Sequence, residues 1–191
     1  MKKLFFLTAV FCLMAVSAFA QGKNVSTLGQ GKAADFSGTW SLDTAKSNLD
    51  QRARIESMTM TVAQSTGSIK VDTETKRQAP PSDAPQGGMG RGGGGMFGGA
   101  DGSTTYMLDG KETTIQQETR MGSIPVKLSA KVAGSKLELN RVSTFNGPNG
   151  ELTMTNKETW SLSDDGKTLT VQREMTSPRG TNASTLVFVK K

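Results

Sequence analysis

The sequence predicts an all-β protein, an antiparallel up-and-down β-barrel of about eight to ten strands with one short helix after the first strand. Short runs of alternating apolar and polar residues carry this prediction, together with the turn signals that separate them. The clearest alternation runs from Ser123 to Val132. A closed barrel is expected rather than an open sheet, because closure removes the two edges that an open sheet would present to other chains.

The expected strands are bounded by glycine, proline, aspartate or asparagine, the residues that favour turns. Their expected ranges are 38–42, 56–64, 68–76, 103–108, 112–119, 123–132, 136–145, 151–162, 168–176 and 183–190. The helix is expected over Asp43 to Arg54, between the first two strands. A barrel wider than eight strands encloses more space than small side chains fill, so a ligand cavity is expected.

Residues 1–20 have the pattern of a secretory signal peptide. Two lysines precede an apolar run from Leu4 to Val16, and small residues at Ala18 and Ala20 form a cleavage site. A membrane span would need about 20 apolar residues, more than this run supplies. We therefore expect a periplasmic or secreted protein with no transmembrane segment in its mature chain. The only cysteine, Cys12, leaves with the peptide, so no disulfide is expected.

Two further segments fall outside the strand pattern. Residues 21–34 are rich in polar residues and glycine and are predicted to be a flexible tail. Residues 78–102 contain ten of the 22 glycines and are predicted to be a disordered Pro/Gly-rich insertion. Glycine spacing there does not predict a nucleotide site, because no βαβ unit surrounds it. The remaining chain, 35–191, is predicted to be one barrel domain.

Composition excludes several functional classes. The chain has no histidine, which removes Ser-His-Asp and Cys-His catalysis, histidine-bearing zinc sites and haem binding through a proximal histidine. Without Lys2 and Lys3 the chain has 21 basic and 17 acidic residues, a mild net charge of +4, and no basic stripe marks a nucleic-acid partner. We expect no metal and no cofactor. The sequence contains no recognisable catalytic motif, so it does not predict an enzyme.

The residues from Asp35 to Leu42 contain a Gly-x-Trp motif, Gly38 and Trp40, just before a meander of hairpins. This opening resembles that of the lipocalins and the wider calycin superfamily. The segment from Glu158 to Val171 resembles the late hairpin of exported bacterial lipocalin-like domain proteins. The resemblance covers about residues 35–190 and implies a barrel closed at one end by the tryptophan. A late-strand arginine stacks on that tryptophan in lipocalins, and Arg173 is the candidate for that partner here by position only.

Ten strands are closer to the fatty-acid-binding branch of that superfamily than to the lipocalins proper. The threonine-aspartate-tyrosine motif and the disulfides of lipocalins are absent from this sequence. The resemblance therefore implies a fold and implies no particular ligand.

Polar residues that share a strand face with apolar ones are the candidate ligand-binding residues of the barrel interior. They are Arg141, Asn156, Glu158 and Arg173, with Tyr106 from the fourth strand. An interior arginine must be paired or must meet an anion, because an unpaired buried charge is costly. Two interpretations stay open: an ion pair with Glu158 that closes the barrel, or a clamp for the carboxylate of a ligand.

Several functions remain open at this level. The leading hypothesis is an exported barrel that binds a small hydrophobic or amphipathic molecule. Because an arginine is expected in the interior, that molecule could be anionic. The alternative is an envelope interaction or structural protein that uses the barrel as a scaffold, with a protein partner that the sequence does not identify. An enzyme of unknown reaction is third, since carboxylates and arginines can support acid-base chemistry. The last hypothesis is an outer-membrane β-barrel.

Overall fold

Ten β-strands follow one another along the chain in the computed structural model, which describes residues 34–49, 53–79, 101–119, 122–147 and 150–191. The strands are β1 (Gly38–Leu42), β2 (Ile55–Gln64), β3 (Ser68–Arg77), β4 (Gly102–Met107), β5 (Thr113–Thr119), β6 (Gly122–Ala133), β7 (Lys136–Gly147), β8 (Gly150–Leu162), β9 (Thr168–Ser177) and β10 (Gly180–Lys190). Each predicted strand is present, with its ends within three residues of the predicted ones.

Three predictions concern segments that lie wholly or mostly outside the described residues. They are the signal peptide at 1–20, the tail at 21–34 and the insertion at 78–102. The structure therefore leaves these three as predictions from the sequence.

All ten strands form one antiparallel sheet in the order β4-β3-β2-β1-β10-β9-β8-β7-β6-β5. The sheet curls so that its two edge strands approach each other. An isolated bridge joins Asp109 to Lys131, and the backbone N–H of Gly110 donates to the carbonyl oxygen of Ala130 at 3.0 Å. Among the described strands, β4 and β5 form no ladder with each other. The result is a nearly closed up-and-down barrel, which confirms the predicted fold class.

The predicted helix after the first strand is wrong for the residues described there. Instead of a helix, residues 43–49 form a turn and an isolated bridge between Asn48 and Thr185. Asp43 Oδ1 accepts hydrogen bonds from the backbone N–H groups of Ala45 and Lys46, each at 3.2 Å. These two bonds suit a helix N-terminus as well as a turn, so the bridge to β10 decides the outcome, because it holds the chain extended at Asn48.

The apolar face of the strands points into the barrel and the polar face points outward, as alternation requires. Nineteen hydrophobic residues are buried, and no polar or charged residue of the described chain is as deeply buried. We call the end of the barrel near Trp40 and the turns at 65–67, 134–135 and 163–167 the Trp40 end. The opposite end, where β9 turns into β10, is the Gly180 end.

The Trp40 end is closed by packed aromatic rings. Phe36 and Trp160 meet edge to face with ring centroids 6.0 Å apart, and the indole N–H of Trp40 donates to the carbonyl oxygen of Phe36 at 2.9 Å. Lys190 Nζ lies 5.2 Å from the ring centroid of Trp40. The prediction that Arg173 stacks on Trp40 is therefore wrong. Lys190 is the cross-strand neighbour of Trp40, whereas Arg173 lies opposite Glu158 on β8.

Burial decreases along the barrel interior towards the Gly180 end. On β9 the inward-facing Leu169 and Val171 are buried, whereas Arg173 and Met175 are only half-buried. On β10 the inward-facing residues likewise change from buried at Leu186 to half-buried and then exposed towards the Gly180 end. The interior is thus sealed and apolar at the Trp40 end and becomes polar and more accessible towards the Gly180 end.

Candidate functional site

The predicted site residues lie on the inward faces of four strands. β7 supplies Arg141, β8 supplies Asn156 and Glu158, β9 supplies Arg173, and β4 supplies Tyr106 from across the barrel. Strand register aligns Glu158 with Arg173, and Asn156 with Arg141. Residues directly opposite each other in an antiparallel pair have their Cβ atoms about 5 Å apart, so the register alone brings these side chains together.

Glu158 is the centre of a hydrogen-bonded network. Its Oε1 accepts from Arg173 Nε at 2.8 Å and from Asn156 Nδ2 at 3.1 Å, and its Oε2 accepts from Trp160 Nε1 at 2.8 Å. The side chains of Arg173 and Glu158 are 17% and 11% exposed. This pair is therefore largely removed from water, and each carboxylate oxygen has at least one donor.

The pKa of Glu158 lies below its ordinary value. Burial alone would raise it, but the charge of Arg173 and the hydrogen bonds from Trp160, Asn156 and Arg173 together outweigh burial and lower the pKa. Glu158 is therefore a carboxylate near neutral pH. The Arg173–Glu158 pair therefore carries no net charge. The sequence left open an ion pair or a ligand clamp, and this arrangement is the ion pair.

Arg141 lies beside this pair and has a different partner. Its Nη2 donates to Oε1 of Gln117, an inward-facing residue on β5. Within the described chain, none of the salt bridges, judged at 4.0 Å, involves Arg141. With Glu158 matched by Arg173, the polar part of the interior carries one positive charge that no described carboxylate neutralises.

Tyr106 faces the same cluster from β4 and is 8% exposed. Burial raises its pKa to about 12, helped by the negative charge of Glu158. The charges of Arg141 and Arg173 act in the opposite direction, as does hydrogen bonding with Arg141. Tyr106 is therefore a neutral phenol at physiological pH, able to donate or accept a hydrogen bond inside the barrel.

Two members of this cluster were not among the predicted site residues. Gln117 alternates with Ile115 on β5, which is a signal for an inward position, but its contact with Arg141 spans the intervening strand β6. Trp160 is a buried residue of the apolar wall on β8. Its indole N–H nevertheless reaches the neighbouring Glu158, and a sequence pattern does not show that orientation.

No group of three or more histidine, cysteine, aspartate or glutamate side chains in the described residues could hold a metal ion. In the same part of the chain, none of the helical segments has the length and apolarity needed to span a bilayer. The interior cluster is therefore the candidate functional site of the described chain.

No protein-family model matches the chain, and no curated protein matches it either. The chain is similar to the crystal structure of zebrafish ileal bile acid-binding protein complexed with cholic acid, at 15% sequence identity and a TM-score of 0.45. The match covers 82% of this chain and 98% of that one. The architecture of the present barrel rests on its own strand order and register.

Proposed function

We propose that the barrel binds a small, partly apolar acid in its interior, with Arg141 as the residue that anchors the acidic group. The observation that carries this proposal is the unneutralised charge of Arg141 among half-buried interior side chains. A desolvated guanidinium favours an anion, because the charge has lost part of its hydration and gains a partner that restores it. The apolar wall towards the Trp40 end suits the hydrocarbon part of such a molecule.

Arg173 serves a different purpose in this proposal. Its charge is already matched by Glu158 at 2.8 Å, so an incoming anion would have to displace a carboxylate that holds three donors. Arg141 donates to the neutral oxygen of Gln117 and hydrogen-bonds with the neutral phenol of Tyr106, and a carboxylate is a stronger acceptor than either. Arg141 is therefore a better anchor for an anion than Arg173.

The experiment compares an acid with its uncharged analogue. Dodecanoate and dodecanol are titrated into the wild-type protein and the Arg141→Met variant, and binding is measured by calorimetry. Wild type should prefer the acid, and the variant should lose about 1.5–3 kcal/mol of binding free energy for the acid only, the value of a hydrogen bond to a charged group. Lys127→Met, on the outer face of β6, is the matched control and should bind both as wild type does. Equal acid binding by wild type and Arg141→Met would overturn the proposal.

We also propose that the protein is exported, on the strength of the lysines, the apolar run and the Ala-x-Ala site in residues 1–20. The experiment is an intact-mass measurement on protein recovered from the periplasm or medium of a bacterial culture. A mature chain beginning at Gln21 is expected. An extracytoplasmic protein that keeps residues 1–20, or a protein found only in the cytoplasm, would contradict export. Native mass spectrometry of the same sample would reveal a ligand that co-purifies.

A further inference from the structure

Two side-chain oxygens on opposite walls of the barrel interior are buried and have no hydrogen-bond partner among the described residues. They are Oδ1 of Asn156 on β8 and Oγ1 of Thr75 on β3. Asn156 lies on the face of Glu158 and Trp160, and Thr75 is the cross-strand partner of the buried Met58. Buried polar atoms are nearly always satisfied in folded proteins, so each of these atoms calls for a donor that the described chain does not supply.

The orientation of the Asn156 amide is fixed by its neighbour. The atom that lies 3.1 Å from Glu158 Oε1 must be the donor nitrogen, because two oxygens at that distance would repel. The carbonyl oxygen Oδ1 is therefore the unpartnered atom. It accepts a hydrogen bond and cannot donate one, so its missing partner must carry an O–H or N–H group.

Arg141 lies directly opposite Asn156 in the β7–β8 ladder. The cation proposed above to anchor an acid and the acceptor that lacks a donor are thus cross-strand neighbours on one interior face. A molecule held by its acidic group at Arg141 would pass close to Asn156. One ligand can meet both requirements if it carries an acidic group and a hydroxyl group on the same apolar skeleton.

We infer that the barrel selects a hydroxylated amphipathic acid over its unhydroxylated counterpart, with Asn156 Oδ1 as the principal hydroxyl acceptor and Thr75 Oγ1 as a second contact. This inference rests on the proposed function, since it names the class of acid that Arg141 would anchor. Leaving a buried acceptor unpaired costs free energy that a ligand hydroxyl recovers and a plain alkyl chain does not.

The test uses dodecanoate and a series of its monohydroxylated isomers, from the 2-hydroxy to the 12-hydroxy acid, titrated into wild type. At least one isomer should bind about tenfold more tightly than dodecanoate, the equivalent of one buried hydrogen bond. Asn156→Leu should bring that ratio to about one. Asn140→Leu is the matched control, because Asn140 Oδ1 is also buried without a partner but lies on the opposite face of β7 from Arg141.

Thr75→Val is the second variant, needed in case Asn156→Leu does not fold after losing its hydrogen bond to Glu158. Valine has nearly the shape of threonine and no hydroxyl, so it should lower the preference for any isomer whose hydroxyl reaches β3. If wild type binds dodecanoate as tightly as every hydroxylated isomer, the inference is overturned while the proposed function stands. If wild type binds none of these acids, the proposed function itself fails. A preference that survives in both Asn156→Leu and Thr75→Val also overturns the inference.

Discussion

Arg173 Nε donates to Glu158 Oε1 at 2.8 Å across the β8–β9 ladder, where the two residues are direct cross-strand partners. Two more donors, from Asn156 and Trp160, converge on the same carboxylate. The pair therefore joins neighbouring strands through side chains as well as backbone, and it does so inside the barrel. An ion pair of this kind contributes little net stability compared with apolar residues, but the loss of one partner leaves the other charge stranded.

Arg173→Met should destabilise the protein by about 3 kcal/mol, because Glu158 loses the charge that compensates its burial. Adding Glu158→Gln should restore more of that loss than adding Glu158→Leu, since the glutamine oxygen can still accept from the Trp160 indole. Urea denaturation of the four proteins measures the differences. An Arg173→Met variant as stable as wild type would mean that Glu158 finds another cation in the folded state.

Acid should weaken the wild-type protein partly through Glu158. Its pKa is lower in the folded state than its ordinary value of 4.5, so its contribution to stability is complete above that pH and is lost as the pH falls through the folded-state pKa. The free-energy difference between wild type and Glu158→Gln should therefore be constant from pH 7 to about 5 and shrink at lower pH. Unfolding by urea at several pH values checks this. A constant difference down to pH 2 would contradict the lowered pKa.

Tyr106 is the only tyrosine in the chain, so phenolate absorbance at 295 nm reports on one residue. Its titration should be centred at about 12 in the folded protein and near 10 in denaturant. A raised pKa means that its contribution to stability is complete below pH 10 and is lost as the pH rises through 12. As the pH rises, the free energy of unfolding of Tyr106→Phe should fall by up to about 2.7 kcal/mol less than that of wild type, the equivalent of two pKa units. A midpoint near 10 in the folded state would show that the phenol reaches water.

Gly38 has a φ of +138°, which side chains other than glycine rarely adopt. A Cβ at this position would also lie 2.7 Å from Cε of Lys190, the flexible end of the side chain that covers Trp40. Gly38→Ala should therefore cost about 1–3 kcal/mol through backbone strain, and Lys190→Met about 0.5–1 kcal/mol through the lost cation–π contact. Thermal unfolding of the single and double variants tests this. If Lys190→Ala rescues Gly38→Ala, the cost is a side-chain clash and not backbone strain.

Replacing residues 80–100 with a short glycine-serine linker should leave the barrel folded. Register pairs Thr73 with Gly102, so β3 and β4 remain neighbours on either side of the replaced segment. Changes in loop length cost little, because closure entropy rises only slowly with length. A stability loss greater than about 2 kcal/mol would show that the replaced segment packs on the barrel. Circular dichroism and urea unfolding are sufficient measurements.

Strand positions and inward faces could be predicted because both depend on local alternation. The run from Ser123 to Val132 alternates in sequence and in burial. The segment after Asp43 could not be assigned correctly, because its turn depends on a bridge between Asn48 and Thr185 at the far end of the chain. Which cation covers Trp40 depends on register with β10, and strand assignment alone does not determine that register.

Most residues of the interior cluster could be predicted for the same reason, but the contacts between them could not. Arg141, Asn156, Glu158 and Arg173 share inward faces, which periodicity reveals. One partner of Arg141 is Gln117, two strands away, and this contact depends on barrel curvature and side-chain length. Periodicity carries no information about either quantity.

The pairing of β1 with β10 determines the order in which the molecule can assemble. The other ladders join strands that are consecutive in the chain and can form as soon as each hairpin is made. The hydrogen bond beside the β1–β10 seam, from the Val187 backbone N–H to Ser47 Oγ, spans 140 residues, and such long-range contacts form slowly. During synthesis β1 waits beside β2 with one edge unpaired until β10 has left the ribosome. Closure of the seam is therefore the step that should set the refolding rate, and the interval before it is when the nascent chain is most open to chaperones or to aggregation.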